Sequence, residues 1–114
     1  MNIAILRGVL SVEPTITHLP NGSIVHNFEM KTASGDEHHT VPVAWHDPTR
    51  PPSLCTGDEV VVQGLVRRRW FRAGGASLSR TEVVAACVAR AGSKRAAKAL
   101  ESATRSIAES GPFE

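Results

Sequence analysis

Between residues 47 and 57 the chain reads DPTRPPSLCTG, with three prolines in one short stretch. Proline fixes φ and has no N–H to donate, so no long helix can cross this segment. The runs on either side are short and alternate. NIAILRGVL, over 2–10, is rich in β-branched and aliphatic residues and stops before Pro14, which predicts a strand. LPNGSI, at 19–24, carries turn chemistry: Asn and Gly accept positive φ, and proline presets the entry. Ile24, His26, Phe28 and Met30 then alternate with Val25, Asn27, Glu29 and Lys31, the pattern of a half-buried strand. The first two runs predict a hairpin closed by Asn21-Gly22. After the polar loop ASGDEH, the run HTVPVAWH puts Val41, Val43 and Trp45 on one face, and Pro42 argues for an edge or a bulge. DEVVVQGLVRRRWF is a long strand interrupted by Gly64, where a bend or bulge is expected. LSRTEVVAACVAR returns as a fifth strand after the turn RAGGAS. Five strands with no helix before residue 92 predict an all-β domain, a small closed or partly open barrel.

After Gly92 the composition changes. SKRAAKALESATRSIAES is dominated by alanine, and Ser93 is suited to cap a helix. The chain therefore divides into a barrel over 1–92 and a basic, alanine-rich tail with helical character over 93–114. The tail's large apolar residues, Leu100 and Ile107, lie seven apart, a thin stripe that needs a docking surface to hold the helix. No apolar run reaches the length of a membrane span, and the opening MNIAILRG reads as a strand and not as a secretory signal. Cys55 and Cys87 are too few and too widely spaced for a disulfide framework or a zinc module, and are expected to be free cytosolic thiols.

The net charge of +2 conceals an asymmetry. Residues 1–66 set Arg7, Lys31 and Arg50 against seven acids, whereas residues 67–105 set ten cations against Glu82 and Glu101. A split of this size is what a surface built for a polyanion requires, although a solvated basic face would look the same. RRRWFR, at 67–72, sharpens the choice by placing an aromatic ring inside the densest charge. Unpaired bases offer π faces to aromatic side chains, and phosphates need Lys or Arg. On a regular strand Arg68 and Trp70 share one face, while Arg67, Arg69 and Phe71 point the other way.

ILRGVL, Pro14, LPNGSIVHNFEMKT, GDEVVVQGLVRRRW and TEVVA, in this order and spacing over about residues 2–90, resemble the bacterial single-stranded DNA-binding proteins. The resemblance implies an OB-fold barrel, and non-enzymatic, sequence-independent binding of single-stranded DNA in replication, recombination and repair. It implies a homotetramer in the cytoplasm, associated with the nucleoid, with strand 1 and VPVAWH as candidate contact surfaces. It places Trp70 where the family has a stacking tryptophan, Trp45 where it has a stacking phenylalanine, and His39 in place of a further tryptophan. Phe71 is a fourth candidate for stacking, and Arg67, Arg68, Arg69, Arg72 and Arg80 are candidates for phosphate contact. The pattern is departed from at the end: ESGPFE has Phe113 penultimate and few acids, and no long linker precedes it. Recruitment of other proteins through an acidic tip is therefore not expected.

Other chemistries fare worse. Trp45 alternates with Val41 and Val43, so core or subunit packing competes with stacking. His38 and His39 are adjacent and face opposite ways on a strand, as do His39 and His46, so these histidines and Asp47 make a poor metal site. No glycine-flanked serine elbow and no Cys–His signature is present, and neither a metal nor a cofactor is expected. The alternative is an OB-fold interaction protein, a primosome-like subunit that docks on a protein through the 93–110 segment and touches DNA little.

Overall fold

The computed structural model describes residues 1–112; the reading of Phe113 and the extreme C-terminal tip lies outside the described residues. Six strands precede one helix: β1 (Ala4–Leu10), β2 (Thr15–His18), β3 (Ile24–Ser34), β4 (Glu37–His46), β5 (Glu59–Ala73), β6 (Ala76–Arg90) and α1 (Lys94–Glu109). Hydrogen bonding runs β1-β5-β6-β4-β3-β2, and a further β1–β3 pairing closes β1, β5, β6, β4 and β3 into a ring. The expectation of an all-β, five-stranded barrel followed by a short helical tail is met.

β2 was not expected. Val9 and Leu10 of β1 pair with Lys31 and Met30, and beyond the break at Pro14 β2 pairs with Asn27 to Ile24 along the same edge of β3. The predicted turn does form, with Gly22 at φ 90° and Ser23 N–H donating to Asn21 Oδ1 at 3.0 Å, but it joins β2 to β3 and not β1 to β3. A four-residue, wholly exposed strand carries no hydrophobic alternation strong enough to announce it.

The inward faces fill the barrel with Leu10, Phe28, Met30, Val43, Val60, Val62, Val83 and Val88. Two glycines let the ring close. A Cβ at Gly8 would collide with the Lys31 carbonyl where β1 crosses β3, and one at Gly64 would collide with the Val84 carbonyl. The expected irregularity at Gly64 is a register shift: Gln63 pairs with Cys87 and Gly64 with Ala85, so Ala86 is left over on β6. Pro42 sits where β4 pairs only with β3, since β4 meets β6 at just Val43 and Ala44, which spares the missing N–H.

Ser93 caps α1, its hydroxyl accepting from Ala96 N–H at 3.1 Å. The helix docks on the outside of β5 and β6, but not through its large residues. Ala96, Ala99 and Ala103 are the buried ones, with Val61 and Ala89 beneath Ala96, while Leu100 and Ile107 remain exposed. Small side chains allow the helix backbone to approach the sheet closely, so the alanines that looked like mere helix formers are the contact stripe. Among the described residues no helix is long and apolar enough to cross a membrane.

Replacing Gly64 by Ala forces the two strands apart at the bulge. The expected cost is about 1–3 kcal/mol, the usual range for overpacking, read as a lower urea midpoint with an unchanged slope.

Candidate nucleic-acid interface

β1 pairs with β5 only as far as Ala4 opposite Gly64, and β6 meets β4 only from Val83 onward. Beyond those points β5 and β6 have no strand partner but each other among the described residues, although the Asn2 side chain donates to the Val66 carbonyl and accepts from its N–H at the base, and they leave the barrel as a two-stranded arm. Its tip is the Gly74-Gly75 turn, with both residues at positive φ (58° and 80°), as a tight hairpin between right-twisted strands demands. That turn sets the register: Arg67 opposite Glu82, Arg69 opposite Arg80, Trp70 opposite Ser79, Phe71 opposite Leu78 and Arg72 opposite Ser77. Every residue from Leu65 to Thr81 is exposed, and burial resumes at Glu82.

The arm has two chemically different faces. One carries Arg68, Trp70 and Arg72, opposite Thr81, Ser79 and Ser77. Trp70 is 63% exposed because its cross-strand neighbour is only a serine. The Arg68 guanidinium lies 5.8 Å from the Trp70 ring centroid, a cation–π contact that leaves the charge at the surface. Arg72 donates to the Gly75 carbonyl at 3.4 Å. Neither Arg68 nor Arg72 has a carboxylate partner among the described residues.

The other face carries Leu65, Arg67, Arg69 and Phe71 opposite Val84, Glu82, Arg80 and Leu78. Glu82, 5% exposed, accepts from Arg67 Nη2 at 2.9 Å and stands 3.5 Å from Arg69 Nε. Arg80 lies 3.9 Å from Glu29 on β3. Arg69, Arg80 and Glu82 form one wall of a cleft of about 350 Å³, and Thr17, Asn27 and Glu29 belong to the opposing β2–β3 wall. Arg69 also lies over Phe71, at 5.8 Å from its centroid.

Two candidates stand apart from the arm. Trp45 is 7% exposed and belongs to the barrel core, edge-on to His26 with centroids 6.4 Å apart. Its ring packs with the core, as its alternation with Val41 and Val43 allowed, and also lines a shallow groove with Gln63, Cys87, Arg95 and Lys98. The VPVAWH segment is correspondingly mostly covered within the chain, with Val43, Ala44 and Trp45 all buried. His39 is exposed on β4, 3.4 Å from the Glu37 carboxylate, and is not among the residues lining the cleft. No group of three His, Cys, Asp or Glu among the described residues is placed to hold a metal. Both thiols are free and titrate above the ordinary range, Cys55 mainly through the Asp58 charge and Cys87 through burial. That disfavours the thiolate form each would need as a nucleophile.

Sequence reasoning missed Glu82 and Glu29 as parts of the site. The signal for Glu82 was present: with Gly74-Gly75 as a two-residue turn, counting outward brings Glu82 opposite Arg67. Glu29 comes from a distant strand, and only the barrel's closure brings it to Arg80.

No family model matches the sequence, and no curated protein matches it. Solved structures do. The wild-type single-stranded DNA binding protein from Thermus aquaticus superposes with a TM-score of 0.63 at 21% identity, over 79% of this chain and 40% of that one. A variant of that protein with a deletion and an arginine-to-alanine substitution gives the same values. The present chain therefore corresponds to less than half the length of these neighbours. With the closed ring of five strands, the similarity assigns the barrel to the OB-fold.

Proposed function

We propose that the chain binds single-stranded DNA without sequence preference, stacking bases on Trp70 and meeting phosphates with Arg68 and Arg72. The observation that carries this reading is the placement of Trp70, an exposed ring flanked on its own face by two arginines that no carboxylate among the described residues compensates. An exposed indole contributes nothing to the core, and a stacked base recovers its apolar area for roughly 1–3 kcal/mol whatever the base. The arginines add a sequence-independent term through counterion release. Phe71, with Leu78 opposite it, offers a second and smaller apolar surface on the other face, where acids already engage Arg67, Arg69 and Arg80. His39 is a peripheral contact on β4. The neighbours of known structure are named for the same ligand.

In this reading the protein is a binding module and not an enzyme. It covers single strands exposed in replication, recombination or repair, in the cytoplasm where chromosomal DNA lies. Self-association as a homotetramer belongs to the same proposal. β1 supports it: it is paired with β5 along its length but with β3 only at Val9 and Leu10, and Ile5 and Val9 are exposed on it.

Titrating the protein with oligo-dT at several salt concentrations tests the reading. Trp70→Ala is expected to weaken binding by about 1–3 kcal/mol, with the fluorescence quenching abolished, because buried Trp45 contributes little of it. A loss below a few tenths of a kcal/mol removes Trp70 from the interface. Arg68→Ala together with Arg72→Ala is expected to make the dependence of log K on log salt shallower, by about 0.7 for each phosphate no longer neutralised. An unchanged slope assigns the phosphates elsewhere.

A further inference from the structure

Glu82 is the one buried charged residue among those described, and its position on β6 is where the arm leaves the barrel. Burying a carboxylate is costly unless it is paired, and an apolar residue of similar size at such a place is often as stable or more so. Val83 and Val84 follow directly, so an apolar residue would suit the strand. The charge is nevertheless there, with its two oxygens directed to two different arginines, Oε2 to Arg67 and Oε1 to Arg69. A carboxylate in this position occupies the place that a phosphate would take against the same guanidinium groups. Half-exposed Glu29 adds a looser contact, 3.9 Å from Arg80, and Glu13, which accepts from Thr56 N–H, lines the same cleft. The cleft-side face thus sets Arg67, Arg69 and Arg80 against three acids, and the opposite face sets Arg68 and Arg72 against none among the described residues.

From this asymmetry we infer that Glu82 is a positioning residue: it withholds Arg67 and Arg69 from phosphate and so directs the sugar–phosphate backbone of a bound single strand to the Arg68–Trp70–Arg72 face. The inference rests on the proposed single-stranded DNA binding. The densest arginine run in the sequence then acts as two populations, one engaged by an internal anion and one free for an external one. The cleft-side face carries no net charge to attract a backbone, and a phosphate entering it must compete with Glu82 for the same guanidinium groups.

The test is the salt dependence of oligo-dT binding in five proteins: wild type, Glu82→Gln, Arg67→Ala/Arg69→Ala, Arg68→Ala/Arg72→Ala, and Glu82→Gln combined with the first pair. Glu82→Gln keeps the side chain's shape and removes the charge. It is expected to steepen the slope by roughly 0.7 for each arginine released. The Arg67/Arg69 pair is expected to leave the slope nearly unchanged in the wild-type background and to flatten it in the Glu82→Gln background. A purely structural role for Glu82 would lower the unfolding midpoint without steepening the slope, and that result would overturn the inference. So would equal flattening by the two arginine pairs in the wild-type background, a comparison that stands even where Glu82→Gln fails to fold. Absence of any oligo-dT binding by the wild-type protein would instead overturn the binding reading itself, and this inference with it.

Discussion

The β5–β6 pairing carries the rest of the structure. Up to Gly64 on one strand and from Val83 on the other, it is barrel wall: Val60, Val62, Val83 and Val88 face the core, and β1 and β4 flank it. Past those residues the same ladder continues as the arm. The bulge at the junction allows both uses, because the skipped residue on β6 lets the ladder change direction while inward-facing positions on each side stay in phase with their neighbours. Gly64 is therefore the point of closest approach: a side chain there would meet the Val84 carbonyl, and the two strands would have to move apart where barrel passes into arm.

That continuity also explains how a chain of near-neutral total charge presents a cationic surface. The acids lie mainly on β1 to β5 and their loops, and the cations on the arm and α1. Folding mixes them only partly. Arg80 reaches Glu29, Arg7 reaches Glu59 and Arg90 reaches Asp58, all at exposed or half-exposed sites where such pairs are worth little. Around Glu82 the mixing is close, one buried carboxylate between two arginines. On the Trp70 face it does not occur among the described residues. The local field at the arm is thus set by which arginines lack partners, and not by the number of arginines in the run.

Much of this was legible in the sequence for identifiable reasons. The alternation of Ile24 to Lys31, the proline-rich break at 47–57 and the exceptional Gly64 each follow from a local rule, and each is found as expected. Ser93 caps its helix because capping is also local. What failed was whatever depends on partners far along the chain. Trp45 and Trp70 are both tryptophans at alternating strand positions, yet one is core and the other exposed, because Trp45 lies within the barrel wall and Trp70 beyond the point where β5 loses β1. Leu100 and Ile107 were the natural docking residues of α1 by size, but the sheet beneath the helix accepts only alanine at its closest approach. Glu82 looked like a stray acid in a basic segment until the hairpin register set it against Arg67.

The arm itself sets a condition on any function it has. A two-stranded ribbon with no third strand and no core is marginal in water, and this one exposes Leu65, Val66, Trp70, Phe71 and Leu78. Its order comes from the tight Gly74-Gly75 turn, from the cross-strand ladder, from Arg68 over Trp70 and Arg69 over Phe71, and from the Arg67–Glu82 anchor at its base. These contacts are polar or half-exposed and individually weak. The anchor alone ties the arm to buried structure by a charged hydrogen bond, and it does so with an arginine that is then withheld from a ligand. Holding the arm in place and leaving its other face free are thus two results of the same residue. An arm held at its base by a half-buried salt bridge on one side can offer an uncompensated aromatic and cationic surface on the other, with less of the ordering cost left to be met by any ligand that engages it.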